Sequence, residues 1–196
     1  MVELFFEEMD RAWPGPRTRK ITLRMIGSTA LMLQTSYTRG TKDSDVLRTL
    51  AIDDALKKDL LAHAGVGTKL HTKHSMYLDI VESGVPFLPQ SPVWHPITKL
   101  NAKLGAFAVE ALDVVDVVVS KLKRFSANDR SDVLAMIAMD RVPHDVLLER
   151  FKTAVDVFTH DARSADLWRY IKNFHQVERD MLGVDPPTPI DLPDWV

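Results

Sequence analysis

The feature that most constrains this chain is a β-strand that breaks at a Gly-Ser pair and resumes as a helix, ahead of two aspartates spaced one residue apart. Ile21-Thr22-Leu23-Arg24-Met25-Ile26 is an apolar-rich run with a β-branched start, suited to a strand. Gly27-Ser28 interrupts it, and Thr29-Ala30-Leu31-Met32-Leu33-Gln34 continues with good helix formers. A strand–turn–helix of this kind aims backbone N–H groups at an anion, reinforced by the helix dipole. Gly27 would let a phosphate approach the backbone, and the Ser28 hydroxyl could bond a phosphate oxygen. The commoner role of a serine in that place is the helix N-cap, and one side chain can serve both ends.

Thr41-Lys42-Asp43-Ser44-Asp45-Val46 follows. Alternate residues of a strand share a face, so Asp43 and Asp45 are predicted to project side by side. Neighbouring carboxylates repel unless a cation lies between them, and Mg²⁺ takes oxygen ligands from carboxylates and phosphates together. Isolated surface aspartates are common; the Gly-Ser turn just upstream is what favours a nucleotide-binding reading here.

At these residues the chain resembles the DNA polymerase β-type minimal nucleotidyltransferases, and within them the AbiEii-like toxins of bacterial abortive-infection systems. The resemblance rests on Gly27-Ser28, Arg39, Thr41, Asp43 and Asp45. A second block, Val114 to Leu122 followed by Asp129-Arg130-Ser131-Asp132-Val133-Leu134, is similar to the lysine-bearing helix and charged turn of AbiEii-like proteins. Together the matched stretches span roughly residues 20 to 135. What this resemblance implies is a metal-dependent transfer of a nucleoside monophosphate from a nucleoside triphosphate to an acceptor hydroxyl. Gly27, Ser28, Arg39 and Lys121 would bind the nucleotide, while Asp43, Asp45 and a third carboxylate would hold Mg²⁺ or Mn²⁺. The acceptor could be an RNA end, a protein or a small molecule, and a toxin would have an antitoxin partner. Where the superfamily pattern has an apolar residue between the aspartates, this chain has Ser44. A non-catalytic nucleotidyltransferase-like module that binds a nucleotide or a partner is the alternative.

The third carboxylate is sought on the next strand. Met76-Tyr77-Leu78-Asp79-Ile80-Val81 has a strand's composition, and Asp79 interrupts its apolar pattern. Glu82 is the rival, because strand register is not fixed by one sequence.

Composition sets the outer limits. With 196 residues, 45% hydrophobic and 27% charged, the chain can bury a core without covalent staples. The absence of cysteine excludes disulfides and thiolate metal sites, and fits a reducing compartment. The acidic start, Met1 to Glu8, lacks the apolar run of a signal peptide, and no stretch approaches a membrane span. A soluble cytoplasmic protein without membrane contact is expected. A net charge of −2 does not advertise nucleic-acid binding. The local basic groups Arg17 to Arg24, Lys69 with Lys73, and Lys121 to Arg124 read first as solvated faces, the last being the best candidate for an RNA contact.

The expected fold is α/β (α+β): a small mixed or antiparallel sheet carrying the acids and flanked by helices, with a helical C-terminal part. The division placed on the sequence is a nucleotidyltransferase-like core at 1–110 and a helical region at 111–196 packed on it. Thr49 to Ala64 reads as a helix stopped by Gly65, and Lys69 to Thr72 as a short strand. The proline-rich stretch from Gly84 to Pro96 reads as a loop or edge strands, a candidate flap, and Gly105 to Val109 as a strand. Val114 to Phe125, Ser131 to Met139, Asp145 to His160 and Ser164 to Leu182 read as helices, before an extended tail at Pro186 to Pro193. His71 and His74, three apart on that supposed strand, would point to opposite faces, which argues against a transition-metal site. Trp168, Tyr170 and Phe174 fit core or interface packing.

Overall fold

The computed structural model describes residues 2–192; Met1 and the tail from Pro193 lie outside the described residues. Contacts divide the chain into two compact units, residues 1–85 with 94–113, and residues 86–93 with 114–196.

The first unit carries the sheet. Its elements are α1 (Val2–Ala12), β1 (Ile21–Met25), α2 (Gly27–Gln34), β2 (Asp43–Leu47), α3 (Asp54–Ala64), α4 (Lys69–His74), β3 (Tyr77–Val81), β4 (Trp94–Pro96), α5 (Thr98–Asn101) and β5 (Phe107–Leu112). The five strands run in the order β3-β2-β1-β5-β4. β1 is antiparallel to β2 and parallel to β5, β2 is parallel to β3, and β4 is antiparallel to β5, so the sheet is mixed as expected. Pro96 stands on the edge strand β4, where a missing N–H does least harm.

Alternation along the strands separates two faces. Leu23 and Met25 of β1, Val46 of β2, Leu78 and Ile80 of β3, and Phe107, Val109 and Ala111 of β5 are all buried, on the face packed by the helices of this unit. The other face carries Thr22, Arg24, Asp43, Asp45, Tyr77, Asp79 and Glu110, all half-buried or exposed. Asp10 of α1 is 5% exposed and accepts hydrogen bonds from the backbone N–H groups of Gly105, Ala106 and Phe107, which pins α1 to the start of β5.

One expected strand is a helix. Lys69–His74 forms α4 because Thr68 caps it, its side chain accepting from His71 N at 3.2 Å. The two histidines are separately engaged there. His71 Nδ1 accepts from Gly67 N–H, and His74 bonds the Glu8 carboxylate.

The second unit is helical: α6 (Val114–Lys121), α7 (Ala127–Ala138), α8 (His144–Thr159) and α9 (Leu167–Val177), with a 3₁₀ turn at Ser164–Asp166 and a π turn at Glu178–Leu182. Residues 86–93 belong with it because Phe87 is fully buried against the rings of Phe151, Phe158 and Tyr170. The same segment is tied by Val93 N–H to Asp116 and by Ser91 C=O to Arg150. α6 ends at Lys121, earlier than its valine pattern suggests, since Phe125 adopts a positive φ of 48° and Ser126 opens α7 with a capping box to Asp129. The tail is fastened to this unit at Thr188, whose N–H donates to the buried Glu178 carboxylate and whose carbonyl bonds His175.

Candidate active site

The site grows from the end of β1. Ile26 is extended and donates its N–H to Asp45 C=O at 2.9 Å, which sets β2 beside the start of α2. Gly27 then turns into the helix with φ +64°, a conformation that favours glycine. A Cβ there would lie 2.9 Å from Asp45 Oδ2, so the missing side chain is what lets the Asp45 carboxylate stand against the first turn of α2. Ile26 occupies the cap position, and its apolar side chain makes no cap hydrogen bond. Ser28 is therefore inside the first turn and is not the cap. Its hydroxyl instead accepts from Arg39 Nη1 at 3.2 Å, which brings the guanidinium of Arg39 to the same helix end.

Asp43 is exposed and Asp45 half-buried, on one face of β2 as alternation predicts. Asp43 is held from both sides: Thr29 Oγ1 donates to its carbonyl and Thr41 Oγ1 donates to its carboxylate at 2.8 Å. Ser44 between them points to the opposite face, where it is fully buried in the position an apolar residue would fill. Its hydroxyl has no hydrogen-bond partner among the described residues.

The parallel pairing of β2 with β3 places Asp45 opposite Asp79 and Asp43 opposite Tyr77. Paired residues of adjacent strands share a face, so three carboxylates and one phenol stand together on the open side of the sheet. Tyr77 records the resulting field. Burial raises its pKa above the ordinary value, and the charges of Asp43, Asp79 and Asp45 push in the same direction. Glu82, the rival third acid, lies just past the end of β3 and is occupied by Arg48 at 3.1 Å and Lys57 at 2.6 Å. Those hydrogen bonds, led by Lys57, hold its pKa below the usual carboxylate range.

Lys121 has different surroundings from those a solvated helix face would give. It lies in the second unit, 7% exposed, with its ammonium 2.7 Å from Asp132 and 3.3 Å from Asp129, both acids being buried. Burial would raise the Asp129 carboxyl, but hydrogen bonds from Arg124 and Ser126 and the charge of Lys121 hold it down at about 2. Thus Gly27, Ser28, Arg39, Asp43, Asp45 and Asp79 are gathered at one end of the sheet, whereas Lys121 anchors a buried ion cluster on α6 and α7.

Among the described residues, no three Asp, Glu or His side chains close into a metal cage. The acids instead line an open face, a partial set of hard oxygen donors. Such a set fits Mg²⁺, which characteristically completes its shell with water and substrate phosphates.

The pattern of the family described as "Nucleotidyltransferase of unknown function (DUF6036)" matches residues 5–182. The chain belongs to this family. The match covers both units of the DUF6036 chain, including the Gly27-Ser28 turn, the three acids and the Lys121 block. No curated protein and no solved structure matches the chain. Among the described residues, no helix is long and apolar enough to cross a membrane.

Tyr77 was not among the residues singled out in the sequence. Its signal was available, because it stands two residues before Asp79 in a strand and therefore shares the acid's face.

Proposed function

We propose that this DUF6036 protein transfers a nucleoside monophosphate from a nucleoside triphosphate to an acceptor hydroxyl at the open face formed by Asp43, Asp45 and Asp79. The observation that carries the proposal is the register of β2 on β3, which sets Asp79 opposite Asp45 beside the start of α2. The family's description as a nucleotidyltransferase supports the same reaction class. The resemblance to polymerase β-type enzymes and AbiEii-like toxins gives it its finer form, with an RNA end, a protein hydroxyl or a small molecule as acceptor.

In this reading the α2 N-terminus, Ser28 and Arg39 hold the β- and γ-phosphates, with donors that are already fixed before the nucleotide arrives. Mg²⁺ or Mn²⁺, held by Asp43, Asp45 and Asp79, would neutralise charge on the phosphates. Asp79, the acid on the neighbouring strand, takes the proton of the acceptor hydroxyl. The acceptor oxygen forms its bond to the α-phosphorus while the bond to the bridging oxygen breaks, and pyrophosphate leaves toward Ser28 and Arg39. The protein's share is chiefly positioning and charge. Lys121, paired with Asp129 and Asp132 in the second unit, is assigned a structural role within the helical bundle and none at the phosphates.

The test is a transfer assay with each of the four nucleoside triphosphates labelled at the α-phosphate, Mg²⁺ or Mn²⁺, and total cellular RNA and protein as acceptors. Label should move to one acceptor class in a metal-dependent way and should not move with Asp43→Asn/Asp45→Asn. Nucleotide binding with no transfer under any of these conditions would favour the non-catalytic module.

A further inference from the structure

We infer that the cavity next to the acids is the acceptor subsite, and that Arg24 makes it a receptor for an oxyanion group, phosphate or carboxylate, on the acceptor. The acceptor role rests on the proposed nucleotidyl transfer; the oxyanion site does not.

The cavity has a volume of about 820 Å³, within the range of small-molecule sites. It opens on the same sheet face as the acids, between Thr22 and Arg24 of β1, Glu110 of β5, Glu82, and the loop that begins at Arg48 and Thr49. Leu47, another wall residue, follows Asp45 by two positions and is the register partner of Arg24. The cavity therefore begins about 7 Å along the strand from Asp45, one step of the pleat on the same face.

Two arginines border it, and they differ in kind. Arg48 is committed to the wall: it donates to Ile52 C=O, to Asp54 and to Glu82, and so fixes the 49–53 loop. Arg24 is anchored at one side only. Its Nε donates to Glu110 at 3.0 Å and its guanidinium carbon lies 5.1 Å from the centre of the Trp94 ring. Its two terminal nitrogens make no hydrogen bond among the described residues. A guanidinium clamped by a carboxylate at Nε and by an indole on its face is pre-oriented, with its terminal fork exposed to a planar or tetrahedral oxyanion. Glu82 does not compete for that fork, because Arg48 and Lys57 already satisfy it. Thr22 and Thr49 line the same space, and a threonine hydroxyl can donate to an anion's remaining oxygens. An acceptor whose acid group lies a few bonds from its hydroxyl would then span from Arg24 to the carboxylates.

The experiment uses the full chain labelled with ¹⁵N in buffer without phosphate. Inorganic phosphate, and in a separate arm acetate, is titrated against matched chloride while the Trp94 indole N–H signal, assigned with Trp94→Phe, is followed by NMR. A saturable shift beyond that of chloride is expected, and the better arm identifies the preferred oxyanion. Arg24→Gln should weaken it about tenfold, the loss of one charge-assisted contact, and Arg24→Lys should fall between. Glu110→Gln should tighten it, since a competing negative charge is gone. Spectral dispersion shows whether each variant is folded. No saturable shift in the parent, or equal affinity in folded Arg24→Gln, overturns the site. The response should persist in Asp43→Asn/Asp45→Asn, so failure of nucleotide binding is separable from failure here. A parent protein that binds the oxyanion but transfers no nucleotidyl group overturns the acceptor role and leaves the site.

Discussion

Gly27 and Asp45 are the pair on which the site depends at the residue scale. The glycine holds φ +64° and leaves the place where a Cβ would meet Asp45 Oδ2 at 2.9 Å. Gly27→Ala should therefore cost about 1–3 kcal/mol of stability, from the left-handed backbone and the displaced carboxylate together. Urea denaturation measures it, and an unchanged midpoint would contradict this geometry. Asp79 and Glu82 are told apart by their neighbours. Asp79 faces Asp45 across the strands, whereas Glu82 is spent on Arg48 and Lys57. Asp79→Asn should depress turnover far more than nucleotide affinity, while Glu82→Gln, by loosening the Arg48 loop that walls the acceptor cavity, should raise the acceptor's KM with kcat nearly intact. A transfer assay beside isothermal titration with a non-hydrolysable triphosphate separates the two; wild-type turnover in Asp79→Asn would move the proton acceptor elsewhere.

At the scale of elements, much of the fold was legible because local signals agreed with tertiary packing. β1, α2, β2 and β3 lie where strand composition, the Gly-Ser break and alternation put them. Lys69 to Thr72 reads as a strand because three polar residues and a leucine carry no clear period, but the Thr68 cap outweighs them and the segment is helical. α6 was legible as a helix but not as one buried on nearly all sides. Its Asp116 and Lys121 look like a solvent face until Arg150 and the Asp129–Asp132 pair are brought to them from other parts of the chain. Long-range charge pairing of this kind leaves no periodic trace. It also changes what a substitution means. Lys121→Ala should destabilise by about 3–5 kcal/mol, because it strands two buried carboxylates. A thermal or urea midpoint equal to the parent's would contradict that burial. The pH dependence has a definite sign: the Asp129 carboxyl is held at about 2, below the ordinary 3.8, so its contribution is complete above that ordinary value and is lost as pH falls toward 2. Asp129→Asn should flatten that acid limb of a stability–pH profile.

For the whole molecule, the division of labour follows the two units. The first supplies a sheet with one face given to the core and the other to acids and an arginine-bordered cavity; the second supplies a helical bundle with its own aromatic core and buried ion cluster. The acid face was legible in the sequence through D-x-D spacing, but the pairing that brings Asp79 to it needed the register of two strands more than thirty positions apart. The most direct measurement is paramagnetic broadening by Mn²⁺ in a ¹⁵N-labelled chain bound to a non-hydrolysable nucleoside triphosphate. Amide signals of Gly27, Ser28, Asp43, Asp45, Tyr77 and Asp79 should broaden together at the lowest Mn²⁺ levels, and Asp43→Asn/Asp45→Asn should abolish the effect. Broadening centred on other residues, or unchanged in the double variant, would contradict a cation-dependent nucleotide site on this face.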